Sequence, residues 1–157
     1  MLRKYLLPIL LVLLLPATAL AVGSWAAPVP VGVPTSQIKT ITFTWIGDSG
    51  GGTVPAYVIP AASLAFMKDY WIYAIETDPG SPAPTTLYDI TITNAGTRDV
   101  LGGACADRSA TLQEVVPPKF DGTNPMYVPL DGTALTINVT NTTVNSATAY
   151  IKLWLAR

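Results

Sequence analysis

Beyond residue 37, apolar and polar side chains alternate with period two along much of the chain. Within 38–46, Ile41, Phe43 and Trp45 face one way and Thr40, Thr42 and Thr44 the other. That is the pattern of a strand with one buried and one wet face, and threonine suits the wet side because it is β-branched and polar. Residues 87–93 repeat the alternation. Residues 70–77 are apolar at both parities, with Tyr70, Ile72 and Ala74 opposed to Trp71, Tyr73 and Ile75. This predicts a central strand covered on both faces. The clearest hairpin signal is 134–140, a turn through 141–146, then 147–155. Leu135, Ile137 and Val139 would there pack with Ile151, Leu153 and Leu155.

Shorter elements fill the gaps. Residues 54–59 contain Pro55 and are followed by Pro60, which predicts an edge or irregular strand. Residues 61–69 fit one helical turn or a loop. Segments 98–101, 111–116 and 126–130 read as weak strands. The glycine-rich loop 47–52, the Pro-rich breaker 78–84 and the Asp131-Gly132 pair are turn signals. The fold class that follows is all-β: an antiparallel β-sandwich or jelly roll of about seven to eight short strands.

The N-terminus has a different grammar. Arg3 and Lys4 precede an apolar run over 6–15, broken only by Pro8, and Ala19-Leu20-Ala21 follows Pro16. A short basic region, a short apolar core and an A-x-A site make a cleavable signal peptide. The run is too short for a membrane span, which needs about 20 apolar residues. The chain therefore divides into a signal peptide at 1–21, a Pro-rich linker or N-terminal arm at 22–37, and a β-sandwich domain at 38–157. Pro28, Pro30 and Pro34 favour an extended arm over a helix, and such an arm could lie on a neighbouring subunit. Export to the periplasm, cell surface or medium is expected, with membrane contact only in transit.

Composition narrows the function. Sixteen of the first 21 residues are hydrophobic, so the 50% hydrophobic content is inflated by the signal. Without Arg3 and Lys4, 7 basic residues stand against 10 acidic ones, a net charge of −3. That balance argues against a grip on nucleic acid. No histidine is present, which removes Ser-His-Asp and Cys-His arrangements and histidine metal sites. The acids are scattered, mostly in turns. Oxygen-rich loops at Asp48-Ser49 and 121–124 fall short of the six to eight ligands, roughly, that calcium takes. No catalytic residue, metal or cofactor is predicted. Asn138-Val139-Thr140 and Asn141-Thr142-Thr143 match the glycosylation acceptor pattern.

Two features bear on partners. Cys105 is the single cysteine, so it is either a small core residue or a thiol for an intermolecular bridge. The aromatics Tyr70, Trp71, Tyr73, Tyr88, Tyr127, Tyr150 and Trp154 lie in strand segments. Trp154 is out of phase with Ile151, Leu153 and Leu155, so it should face away from the core with Tyr150 and Lys152. These three residues are the candidate contact for a partner or a second copy.

A family resemblance adds to this. The runs Thr77-Asp78-Pro79-Gly80, Pro84-Thr85-Thr86-Leu87-Tyr88-Asp89-Ile90-Thr91-Ile92-Thr93, Asp99-Val100-Leu101-Gly102-Gly103 and Asp107-Arg108-Ser109 resemble small β proteins from tailed-phage and prophage structural gene clusters. The 40–45 strand and the segments 135–141 and 149–155 fit the same pattern. The resemblance implies a non-enzymatic structural or assembly role, with self-association or virion or surface partners. The other reading of the residues is a secreted module that binds a glycan or peptide through its aromatics.

Overall fold

The computed structural model describes residues 22–33 and 35–157; the expected signal peptide, 1–21, lies outside the described residues. In chain order the elements are β1 (Ser24–Trp25), β2 (Val29–Val31), β3 (Ile38–Ile46), β4 (Tyr57–Val58), α1 (Ala61–Met67), β5 (Trp71–Pro79), β6 (Asp89–Asn94), β7 (Glu114–Val116), β8 (Val128–Pro129), β9 (Leu135–Thr140) and β10 (Thr148–Ala156). The larger of two sheets runs β1–β3–β10–β5–β7. There β2 continues the β1 edge along β3, and β8 continues the β7 edge along β5. The smaller sheet is β4–β9–β6. All of these pairings are antiparallel. The all-β sandwich expected from the alternation is the architecture found.

The core lies between the sheets. Ile41, Phe43 and Trp45 of β3 and Ile151, Leu153 and Leu155 of β10 are wholly buried, as are Ile92 and Ile137 opposite. Each such side chain contributes roughly 1.5–3 kcal/mol through its removal from water. Edge-to-face aromatic contacts add direction: Trp45 meets Tyr88 at 5.9 Å and Phe43 meets Tyr57 at 6.1 Å between centroids.

Three expectations are corrected by the tertiary structure. First, 134–140 and 147–155 do not form a hairpin. β9 pairs with β4 and β6, whereas β10 pairs with β3 and β5 in the other sheet. The connection between them is tied to the 47–52 loop: Thr142 Oγ1 donates to the Gly52 carbonyl at 2.6 Å and the Ser146 amide to the Asp48 carbonyl at 2.8 Å. These bonds carry the chain across the gap between the sheets. Leu135, Ile137 and Val139 still share the core with Ile151, Leu153 and Leu155, but across the sandwich rather than along it.

Second, β5 does not keep one parity. Trp154 pairs with Ala74 but Leu155 pairs with Ile72, so Tyr73 is an extra residue in a β-bulge. Ile72 and Ile75 both turn into the core, while Trp71 stays 47% exposed on the other face. That outer face is therefore open at its Trp71 end, while Glu76 further along it is only 4% exposed. Third, several short elements shrink or shift. The 54–59 strand is reduced to β4 and residues 98–101 make only the Thr93–Asp99 bridge, whereas 61–67 forms the helix α1, the helical alternative expected there. Asp99 explains the second case, because its carboxylate accepts the amides of Leu101 and Gly103 and curls the segment into a loop.

The Pro-rich segment lies along its own chain. Trp25 pairs with Trp45, and Val29, Pro30 and Val31 pair with Thr42, Ile41 and Thr40. No helix among the described residues is long and apolar enough to cross a membrane.

Candidate functional site

The outer face of the larger sheet carries the chemistry that the core does not use. Cross-strand pairing places Lys152 beside Glu76 and Trp154 beside Ala74, with Thr40, Thr42 and Thr44 on the neighbouring strand. The three residues singled out in the sequence, Tyr150, Lys152 and Trp154, are brought together here. They are half-buried, and all three donate to one carboxylate. Tyr150 Oη and Lys152 Nζ each reach Glu76 Oε1 at 2.6 Å, and Trp154 Nε1 reaches Oε2 at 3.0 Å. Gln113, from the loop before β7, adds a fourth donor to Oε1 at 2.8 Å.

Glu76 is only 4% exposed. Burial alone would push its carboxyl up, but Lys152, Tyr150 and Trp154 together hold it below the ordinary carboxylate range. The Tyr150 hydroxyl moves up, because burial and its bond to Glu76 both disfavour the phenolate. Both oxygens of Glu76 are engaged within the chain, so the cluster orients side chains rather than presenting a free base. Sequence reading placed Glu76 among scattered acids. Its signal was a charged residue directly after the apolar run 70–75, at an outward parity that it shares with Asp78.

Beside this cluster lies an open groove of about 470 Å³, lined by Ile38, Trp71, Tyr73, Tyr127, Ala156 and Arg157. Its walls are aromatic and aliphatic, with the Arg157 guanidinium as the one charged group. The β5 bulge aims Tyr73 into it, edge-on to Trp154 at 6.5 Å. Tyr73 and Tyr127 continue into a second hollow with Pro117, Pro125 and Met126. The seven aromatics read as a possible platform thus divide by environment. Tyr70 and Tyr88 are in the core, Tyr150 and Trp154 hold Glu76, and Trp71, Tyr73 and Tyr127 line the groove.

The other candidate groups are committed elsewhere. Cys105 is wholly buried, and burial pushes its thiol up to about 12, so a bridge to another chain would require the 102–108 loop to open. Asp48 accepts the amides of Gly50, Gly51 and Gly52 and the Thr53 hydroxyl; the hydroxyl bond and the amide bonds lower it to about 2. Asp121 likewise closes its own turn through Thr123 and Asn124. The amides of both acceptor asparagines are also engaged, Asn138 with Thr91 and Thr93 and Asn141 with Asp89. No group of three or more metal-ligating side chains converges among the described residues.

No protein-family model, curated protein or solved structure matches this chain. The chain's own geometry defines a two-sheet antiparallel β-sandwich whose larger sheet bears an aromatic groove beside a neutralised ion pair.

Proposed function

We propose that this is an exported, non-enzymatic structural or assembly protein that engages a protein partner or a second copy through the outer face of its larger sheet. The observation that carries the reading is where the exposed apolar side chains collect. Val29, Val31, Ile38, Trp71, Val115 and Tyr127 are each between 47% and 63% exposed, and all belong to that face or its rim. The one ion pair at its centre, Glu76 with Lys152, is internally neutralised. Protein interfaces are depleted of unpaired charge at their centres and enriched in aromatics. The phage-protein resemblance supports assembly, and the 1–21 segment supports export.

The test is density-gradient fractionation of the producing culture's medium, with mass spectrometry for a peptide beginning at Val22. Sedimentation with particles or filaments is the expected result, and Trp71→Ala with Tyr127→Ala should release the protein to the top fractions. Free protein throughout would overturn the assembly reading. The exposed Trp71 and Tyr127 rings favour a second reading, a secreted glycan- or peptide-binding module. Tryptophan quenching on a glycan array hit, lost in Trp71→Ala, would select it.

A further inference from the structure

The N-terminal arm is held by its own sheet in an unusual way. It pairs with β3 over two residues at β1 and three at β2, whereas β10 pairs with the other edge of β3 over nine. Pro28 and Pro30 have no amide to donate. Yet the seat is specific. Trp25 stacks on Tyr57 at 4.9 Å, and its Nε1 donates to the Pro55 carbonyl at 2.7 Å. Gly23 passes so close to the Thr53 carbonyl that a Cβ would sit 2.4 Å from its oxygen. The rest of the arm gains little from this chain: Val22, Val29, Val31 and Val33 are 81%, 57%, 59% and 61% exposed.

A strand with a keyed anchor, few backbone bonds and exposed apolar side chains is held weakly by a seat that recognises it. We propose that the arm exchanges between copies, the β1–β2 segment of one chain occupying the β3 edge of another. The second copy presents the same Tyr57 slot and the same hydrogen-bonding edge. Closed and exchanged forms therefore make the same arm contacts and differ only in how β2 is joined to β3 and in association entropy. A short tether gives an effective concentration in the millimolar range, so exchange sets in when protein is concentrated to about that level, as inside an assembly. This names the second copy as the partner in the assembly reading and rests on that reading only for its biological setting.

The experiment uses paired cysteines at opposite positions of β2 and β3, which lie within disulfide reach in an antiparallel pair. Val29→Cys protein and Thr42→Cys protein are purified separately, mixed from micromolar to millimolar and oxidised with oxidised glutathione. Disulfide-linked peptides are then identified by mass spectrometry. Buried Cys105 does not compete. An interchain 29–42 link is expected, rising at least tenfold over that range. Locking the arm to its own chain with Val31→Cys and Thr40→Cys in both partners should abolish it. The double variant Val29→Cys/Thr42→Cys reports whether the pair can bond at all. If it closes within one chain while the millimolar mixture yields no interchain link, exchange is overturned. A link that persists with locked arms also overturns it. Either failure leaves the sedimentation test of assembly unaffected.

Discussion

Replacing Glu76 tests the outer-face cluster most directly. In Glu76→Gln the side chain keeps its shape but loses its charge, and its amide can accept only part of what four donors now give it. Removing one partner of a fully buried ion pair costs about 3–5 kcal/mol. Here the Lys152 side chain is 26% exposed while that of Glu76 is 5% exposed, so the ammonium can turn toward water and recover part of the loss. The expected cost is therefore about 2–3 kcal/mol, a fall in Tm of roughly 10 °C for a domain of this size. Thermal unfolding followed by circular dichroism and tryptophan fluorescence measures it. Lys152→Met in the Glu76→Gln background separates the pair from its surroundings. The double variant should be less destabilised than the sum of the singles by about 1–2 kcal/mol, because no charge remains unpaired. A Glu76→Gln cost within about 0.5 kcal/mol of zero, the range of ordinary surface changes, would refute the account.

The same carboxylate gives a pH dependence. Glu76 lies below its unfolded value, so its contribution is present above about pH 4.3 and is lost as pH falls through the folded value. The stability gap between wild type and Glu76→Gln should narrow over that interval in acid titrations; a constant gap contradicts the assignment. Gly102 and Gly103 both have positive φ, but a Cβ on Gly102 would meet the Lys119 carbonyl oxygen at 2.0 Å whereas Gly103 faces open space. Gly103→Ala should cost only the backbone penalty of about 1 kcal/mol, and Gly102→Ala clearly more in denaturant melts. Equal costs would show that the Lys119 contact is not rigid. Cys105 should resist Ellman's reagent in native buffer and react at a rate that follows denaturant-driven opening. Rapid stoichiometric labelling of folded protein would show the 102–108 loop to be open.

Much of this protein was legible from residue order, because side-chain direction in a strand is local. Alternation alone assigns Ile41, Phe43 and Trp45 to one face of β3, and it turns Trp154 away from Ile151, Leu153 and Leu155. Strand existence and all-β class follow from the same period-two rule. Which strands become neighbours does not. The residues between β9 and β10 suit a hairpin turn equally well. Bonds from Thr142 and Ser146 to a loop almost a hundred residues earlier send β10 into the opposite sheet. The bulge at Tyr73 is equally invisible, since it exists only in register against Trp154 and Leu155, and it reverses the parity of everything before it. The candidate site depends on both events. Tyr150, Lys152 and Trp154 could be placed together on one face from their own strand, but the acid that gathers them comes from β5, and the bulge on that strand opens the groove beside them. Residue order determined the faces of the regular strands, though not of β5 ahead of its bulge. Tertiary pairing decided which faces meet, because that choice rests on contacts between residues far apart in the chain.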